Sequence, residues 1–388
     1  MSENDTRSKV DDAISKVNEM GSRAEDAFRD FKESEAAEKL SEGIKRGART
    51  AAEGVAKGAK IAAGGIAAGT KIASDTIRSN AEANAKKRAS RKAAPFDQQS
   101  AFRTEGDDNK PIFRLRNGVV IPPIGYGTYL ATEKGGKDVI RDALNQGYRY
   151  LDTARFYENE ADIGEAVRES GIRREELFIC SKVWPTMLGA EKLKESFEAS
   201  CESLGTDYLN MYLIHWPKAG QSDEEWIPKL RESWTVMEDL YKEGRIRAIG
   251  LSNFLPHHIR PLLETARIRP MLDQLELHVG YMQEFTLRYL KHEKIMAQSW
   301  SPLGRAKMLE DDRIRSLAEK YGKSGAQILL RYLIQRGIPA IPKASTPERM
   351  RANMDIFDFS LTADEISYLS CIPEAGWSGE HPDLVEWG

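Results

Sequence analysis

The amino-acid sequence predicts an α/β protein: a (β/α)8 TIM barrel over residues 111–388, preceded by an N-terminal amphipathic helical or partly disordered region at 1–92 and a linker at 93–110. After Lys110, short apolar runs alternate with stretches of helical periodicity, the pattern of repeated βα units. The first ninety-odd residues contain no tryptophan or tyrosine and only Pro95 near their end, whereas both aromatics and prolines abound afterwards. That shift marks a domain boundary, and the polar stretch Ala93 to Lys110 reads as the connection. The apolar runs also end repeatedly in polar residues, which places chemistry at the C-terminal lip of a barrel.

Taken in order, PIFRLRNGVVIP predicts a hairpin around Asn117-Gly118 that closes the barrel bottom. Strands are expected at Ile124–Thr128, Tyr148–Asp152, Leu177–Lys182, Tyr208–His215, Ile246–Leu251, Met271–Glu276, Ile295–Trp300 and Ile338–Pro342. Helices are expected between them, among others at Lys137–Asn145, Asp162–Ser170, Glu191–Leu204, Ile227–Lys242 and Pro256–Ala266. Eight such units favour a closed parallel barrel over an open sheet. The connection from Trp216 to about Trp226 is short and the tail ends soon after Trp377, so an open pocket is expected.

The bulk numbers exclude several classes. Hydrophobic content of 40% and charged content of 30% are ordinary for a globular protein. A net charge of -3 argues against a wholly basic nucleic-acid binder. Cys180, Cys201 and Cys371 are too few and too scattered for a disulfide framework or a metal site, so no metal is expected. The start, MSENDTRSKV, lacks the apolar core of a secretion signal, and no run of about 20 apolar residues occurs. A cytoplasmic protein, with peripheral membrane attachment as an option, is the expectation.

The N-terminal region carries its own pattern. Val10, Ile14, Val17, Met20, Ala24, Phe28 and Phe31 fall at helical spacing. Beyond them Ile44, Val55, Ile66 and Ile77 recur every eleven residues, as do Gly43, Gly54 and Gly65. Eleven residues make nearly three helical turns, so each repeat presents the same face with about 20° of drift. Three readings compete. Seven glycines between Gly43 and Gly69 favour a largely disordered tail. An Ile/Val/Ala face flanked by lysine and arginine favours a helix lying on an anionic membrane surface. GxxxG pairs within residues 43–78 favour self-association. The repeat resembles those of synuclein-like lipid-binding proteins and late-embryogenesis desiccation proteins. Without aromatic stacking residues, nucleic-acid binding is not expected.

The strand ends of the barrel read Asp152, Lys182, His215, Ser252-Asn253, Gln274 and Trp300. Around them the motifs DTARFYENE (Asp152–Glu160), SKVWP at Lys182, LIHWP at His215, GLSNF at Asn253, SWSPLG at Trp300 and IPKASTPERMRAN from Ile341 stand in this order. Together they resemble the aldo-keto reductase family, and SWSPLG with the tail SGEHPDLVEWG is most similar to bacterial diketogluconate-reductase-type members.

The resemblance implies reduction of aldehydes, ketones or dicarbonyls by NADPH. Tyr157 would be the general acid, Lys182 its modulator, Asp152 the anchor of that lysine and His215 the orienter of the substrate. The chemistry suits these residue types. Hydride transfer builds negative charge on the carbonyl oxygen, which must be protonated. A phenol of pKa near 10 is a sluggish donor, and an adjacent ammonium favours its phenolate.

For the cofactor (NADP+ in its oxidised form), the resemblance implies Trp300 stacked on the nicotinamide and Ser252, Asn253 and Gln274 on its carboxamide. Gly127, Thr128, Asp152, Ser301 and Leu303 would line the same groove. Lys343 and Arg349 would meet the 2′-phosphate, and Asn353 the adenine. Ala344 stands where many relatives have a serine that bonds that phosphate, with Ser345 or Thr346 as replacements. Tyr129, Trp184, His215 and Trp216 would contact substrate, with Trp377 a further wall. A redox-sensing binding protein with slow turnover is the alternative, and a third reading makes the basic repeat the main function and the barrel its cargo.

Overall fold

The computed structural model describes residues 103–104, 111–133, 135–218 and 222–384. The expected N-terminal helix and the eleven-residue repeat lie outside them. The chain divides into two units, Met1–Ala94 and Pro95–Gly388, and the following concerns the second.

A strand unforeseen in the sequence lies within the stretch read as a linker. Strand β1, Arg103–Thr104, pairs antiparallel with β2, Ile112–Arg114, which pairs in turn with β3, Val120–Ile121. The β2–β3 hairpin is the one expected around Asn117-Gly118. Gly118 takes a φ of 91° in the turn, a conformation open to glycine at little cost. Asn117 Nδ2 donates to Arg247 O at 2.9 Å. Because Arg247 precedes a barrel strand, the hairpin is tied to the N-terminal end of the barrel.

The main sheet is parallel. Strands β4 (Tyr126–Gly127), β5 (Tyr150–Asp152), β6 (Phe178–Val183), β7 (Met211–Ile214), β8 (Ile249–Ser252), β9 (Leu272–Glu276) and β10 (Met296–Trp300) pair in sequence order. The expected eighth strand at Ile338–Pro342 appears as a single bridging residue. Ala340 pairs in parallel with Ile124 on one side and Ser299 on the other, which closes the cylinder. Pro339 and Pro342 explain why no longer ladder forms, since neither has an N–H to donate. Their carbonyls still serve: Ser299 N donates to Pro339 O at 2.9 Å and Gly127 N to Pro342 O at 3.1 Å.

Helices cover the outside because their apolar residues repeat at helical spacing. In Ala190–Leu204, Leu193, Phe197, Cys201 and Leu204 are buried and the charged residues face outward. Each such large apolar side chain contributes about 1.5–3 kcal/mol on burial. Helix ends follow their punctuation, with Gly171, Gly205 and Gly322 in left-handed C-caps and Ser324 and Thr362 accepting backbone N–H bonds at N-caps. No described helix is long and apolar enough to cross a membrane.

Candidate active site

Parallel pairing in register brings the ends of β5, β6, β7, β8, β9 and β10 to one rim, so residues far apart in sequence become neighbours. Lys182, on β6, is fully buried and donates to Asp152 Oδ1 at 2.5 Å and to Thr153 O at 2.9 Å. Burial, the largest influence, pulls its ammonium pKa down, but Asp152, Tyr157 and Cys180 together outweigh it and hold the group above the ordinary value. Lys182 Nζ lies 5.2 Å from the centre of the Tyr157 ring. Tyr157 sits on a 3-10 turn, Arg155–Tyr157, just after β5, and its Oη is 3.4 Å from His215 Nε2. The four residues expected to carry the chemistry therefore form one chain of contacts.

The electrostatics differ from the expectation in one respect. Lys182 does pull the phenol down, but burial outweighs it and Tyr157 is pushed up to about 12. The hydroxyl thus keeps its proton at neutral pH. His215 is held well below the usual imidazole range, first by burial and then by Lys182, so its ring is neutral. Its Nδ1 is buried without a partner.

Behind the rim lies a supporting layer, of which sequence reasoning missed Tyr150, Asn159 and Gln298. Gln274 Nε2 donates to Asp152 Oδ2 at 2.7 Å and to Gln298 Oε1 at 2.9 Å, and Tyr150 Oη donates to the same Gln298 oxygen at 3.1 Å. Asn159 bridges Thr153 Oγ1 and Thr128 O, at 2.8 and 2.9 Å. Inward-facing polar side chains on apolar strands are the signal that could have found Tyr150 and Gln298.

The expected carboxamide contacts are arranged differently from one another. Both Gln274 donors are engaged, so its Oε1 is the atom open to a ligand. Asn253, at a left-handed φ of 64°, donates to His215 O at 3.0 Å and accepts from Trp300 Nε1 at 2.8 Å. Its amide therefore locks the orientation of Trp300. Ser252 Oγ donates to Gln274 O at 3.0 Å. Thr128 Oγ1 is buried with no hydrogen-bond partner among the described residues. Gly127 has a packing reason to be glycine, because a Cβ there would lie 2.8 Å from Ile341 O. Ser301, with φ of 49°, opens a turn in which Arg305 and Ala306 are also left-handed, and Leu303 packs half-buried beside it.

Lys343 and Arg349 are both exposed and, among the described residues, make no ion pair. They flank the N-terminus of helix Pro347–Met354, where unpaired N–H groups favour an anion. The donor set fits a phosphate. Of the two hydroxyls expected to replace that missing at Ala344, Thr346 Oγ1 caps this helix by accepting from Arg349 N at 3.4 Å, and Ser345 is exposed. Asn353 is buried, with its side chain hydrogen-bonded to Tyr148.

The mouth is aromatic. Tyr129, half exposed, lies 5.0 Å from Tyr157 between ring centres. Trp184 meets His215 edge-on at 5.1 Å and stacks on Phe156 at 3.8 Å and 9°. Phe156, adjacent to Tyr157, was not anticipated, while Trp216 is buried. The tail does not stop short of the mouth: Trp377 stacks on Tyr281 at 6.1 Å, and Ser378 donates through N and Oγ to the buried Glu276 at 3.0 and 2.6 Å.

Comparison with known proteins identifies the family. The sequence model described as the aldo/keto reductase family matches residues 123–373. Glyoxal reductase of Bacillus subtilis is 40% identical over 276 residues, 71% of this chain and 97% of that protein. Methylglyoxal reductase DkgA of Escherichia coli is 36% identical over 277 residues, 71% of this chain and 98% of that protein. Among solved structures, an aldo-keto reductase (AKR2E5) complexed with NADPH is 35% identical, with a TM-score of 0.63, covering 69% of this chain and 89% of that one. The chain belongs to the aldo/keto reductase family.

Proposed function

We propose that the barrel is an NADP-dependent oxidoreductase that reduces aldehydes, ketones or dicarbonyls to alcohols, with Tyr157 as general acid. The observation that carries this reading is the proton-bearing Tyr157 hydroxyl, 3.4 Å from a neutral His215 and backed by the buried Lys182–Asp152 pair.

When bound, the reduced nicotinamide supplies a hydride to the carbonyl carbon. Trp300 offers its ring to that group, with Gln274 Oε1 and the unpartnered Thr128 hydroxyl as polar contacts, and Lys343 and Arg349 hold its phosphate. Two cations that make no ion pair among the described residues favour NADPH over NADH. The neutral His215 donates an N–H to the carbonyl oxygen and orients it beside Tyr157. As charge builds there, the Tyr157 O–H bond breaks and its proton passes to that oxygen. Lys182 stabilises the phenolate left behind, and Asp152 keeps the ammonium in place and charged.

Relatives named glyoxal and methylglyoxal reductase point to small dicarbonyls as first substrates. Protein mixed with NADPH and methylglyoxal or phenylglyoxal should oxidise many equivalents of cofactor. Tight NADPH binding with a single turnover would instead support a redox-sensing role on the same fold. The basic repeat at 43–78 supports a second role in docking to anionic lipid, and absence of anionic-lipid-dependent flotation by the full chain would remove it.

A further inference from the structure

From Ala375 to Asp383 the tail forms a strap across the loops at the barrel mouth. Ala375 N donates to Gly280 O at 2.9 Å, and Ser378 is held by Glu276 as described. Glu380 pairs with Arg305 at 2.9 Å, and Lys307 Nζ donates to Trp377 O at 3.3 Å. At the far end, Asp383 Oδ1 accepts from His257 Nε2 at 3.0 Å and His258 Nε2 at 2.9 Å, with Lys218 Nζ at 3.4 Å. His381 Nδ1 lies 3.8 Å from the other oxygen. Past Ile372 no described tail side chain is buried. Hydrogen bonds and ion pairs hold the strap, rather than an apolar core.

Beneath it is a cleft walled on one side by Glu380, His381 and Pro382 and on the other by Asn253 and Trp300. Trp300 belongs to the nicotinamide slot of the proposed function, and Asn253 fixes its orientation. The strap therefore closes over a cleft that reaches Trp300, the edge of that slot, and is fastened at Asp383.

His257, His258 and Asp383 also bring their ligand atoms within 4.8 Å of one another, as a metal site would. His258 argues otherwise. Leu255 N donates to its Nδ1 at 3.1 Å, so in the neutral ring the proton is on Nε2, which donates to Asp383 and is not available to a metal.

We propose that Asp383 is a positioning residue that fastens the tail over the cleft at the edge of the nicotinamide slot and so sets the rate at which cofactor leaves. This rests on the proposed function, since it requires NADPH to bind there. Cofactor release or lid opening limits turnover in many enzymes, and a strap held by a few polar contacts is suited to opening on that timescale.

The test is stopped-flow release of NADPH from the full-length protein, followed by tryptophan fluorescence, for wild type, Asp383→Ala and Asp383→Glu. In Asp383→Ala the release rate should rise by about tenfold or more, since tenfold corresponds to losing one charge-assisted hydrogen bond and alanine removes the contacts to His257, His258 and Lys218. Single-turnover carbonyl reduction at saturating NADPH should stay within about twofold, and Asp383→Glu should recover most of the slow release. A merely structural role would alter both rates together. An unchanged release rate in Asp383→Ala overturns the clasp while leaving the proposed function intact. Failure of the wild type to bind NADPH overturns both.

Discussion

Replacing Asp152 with asparagine isolates the interaction that the proposed chemistry depends on. The Lys182 and Asp152 side chains are 0% and 2% exposed and 2.5 Å apart. Asparagine would leave a buried ammonium with only neutral acceptors, the new amide oxygen and Thr153 O at 2.9 Å. Breaking a buried ion pair by removing one partner costs about 3–5 kcal/mol. Lys182→Met should cost a similar amount, because the stranded carboxylate keeps only neutral donors, Gln274 at 2.7 Å and Tyr150 at 3.5 Å. The double variant buries neither charge, so its stability should return to within about 1–2 kcal/mol of wild type. Carbonyl reduction should not return, and a loss of about 10²–10⁴-fold is expected when the phenol has no cation beside it. Urea unfolding and NADPH oxidation, measured on all four proteins, form the assay. Two results would refute the reasoning: stability losses that simply add in the double variant, or a double variant that reduces carbonyls at the wild-type rate.

Three further outcomes are expected. Tyr157→Phe should lower turnover by about 10²–10⁴-fold while NADPH affinity stays within about twofold; equal losses of both would contradict the acid role. Arg349→Ala should weaken NADPH about tenfold and NADH hardly at all, and titrations showing the same loss for both cofactors would exclude contact with the 2′-phosphate. Burial, assisted by His257, pushes His258 down to about 4 from its ordinary 6.5. The folded chain therefore excludes a proton that the unfolded chain binds, so this stability is complete above pH 6.5 and is lost as pH falls towards 4. The decline is on the order of 3 kcal/mol. Urea midpoints at pH 7 and pH 5 should differ less in His258→Gln, and an identical pH slope in that variant would dismiss His258 as the cause.

Much of the barrel was legible because strands and helices have different periods. Leu272–Glu276 and Met296–Trp300 begin within one residue of expectation, since apolar runs bounded by polar residues are local signals. The eighth strand was legible as an apolar run but not as a lone bridge, because only the neighbouring strands reveal which N–H groups Pro339 and Pro342 fail to supply. The pairing of Arg103–Thr104 with Ile112–Arg114 was hidden in a polar segment with no alternation.

What the sequence determined by itself was which residue types could do the chemistry and in what order they stand: Asp152, Tyr157, Lys182 and His215, each within a distinctive local motif. Only the tertiary structure decided how those groups behave. Burial, a property of the whole packed barrel, keeps Tyr157 protonated against the pull of Lys182. Strand register commits the Asn253 amide to Trp300 and His215, and the path of the tail brings Asp383 to His258, 125 residues away in sequence. Protonation and hydrogen bonding depend on every neighbour within a few ångströms, and most of those neighbours are distant along the chain.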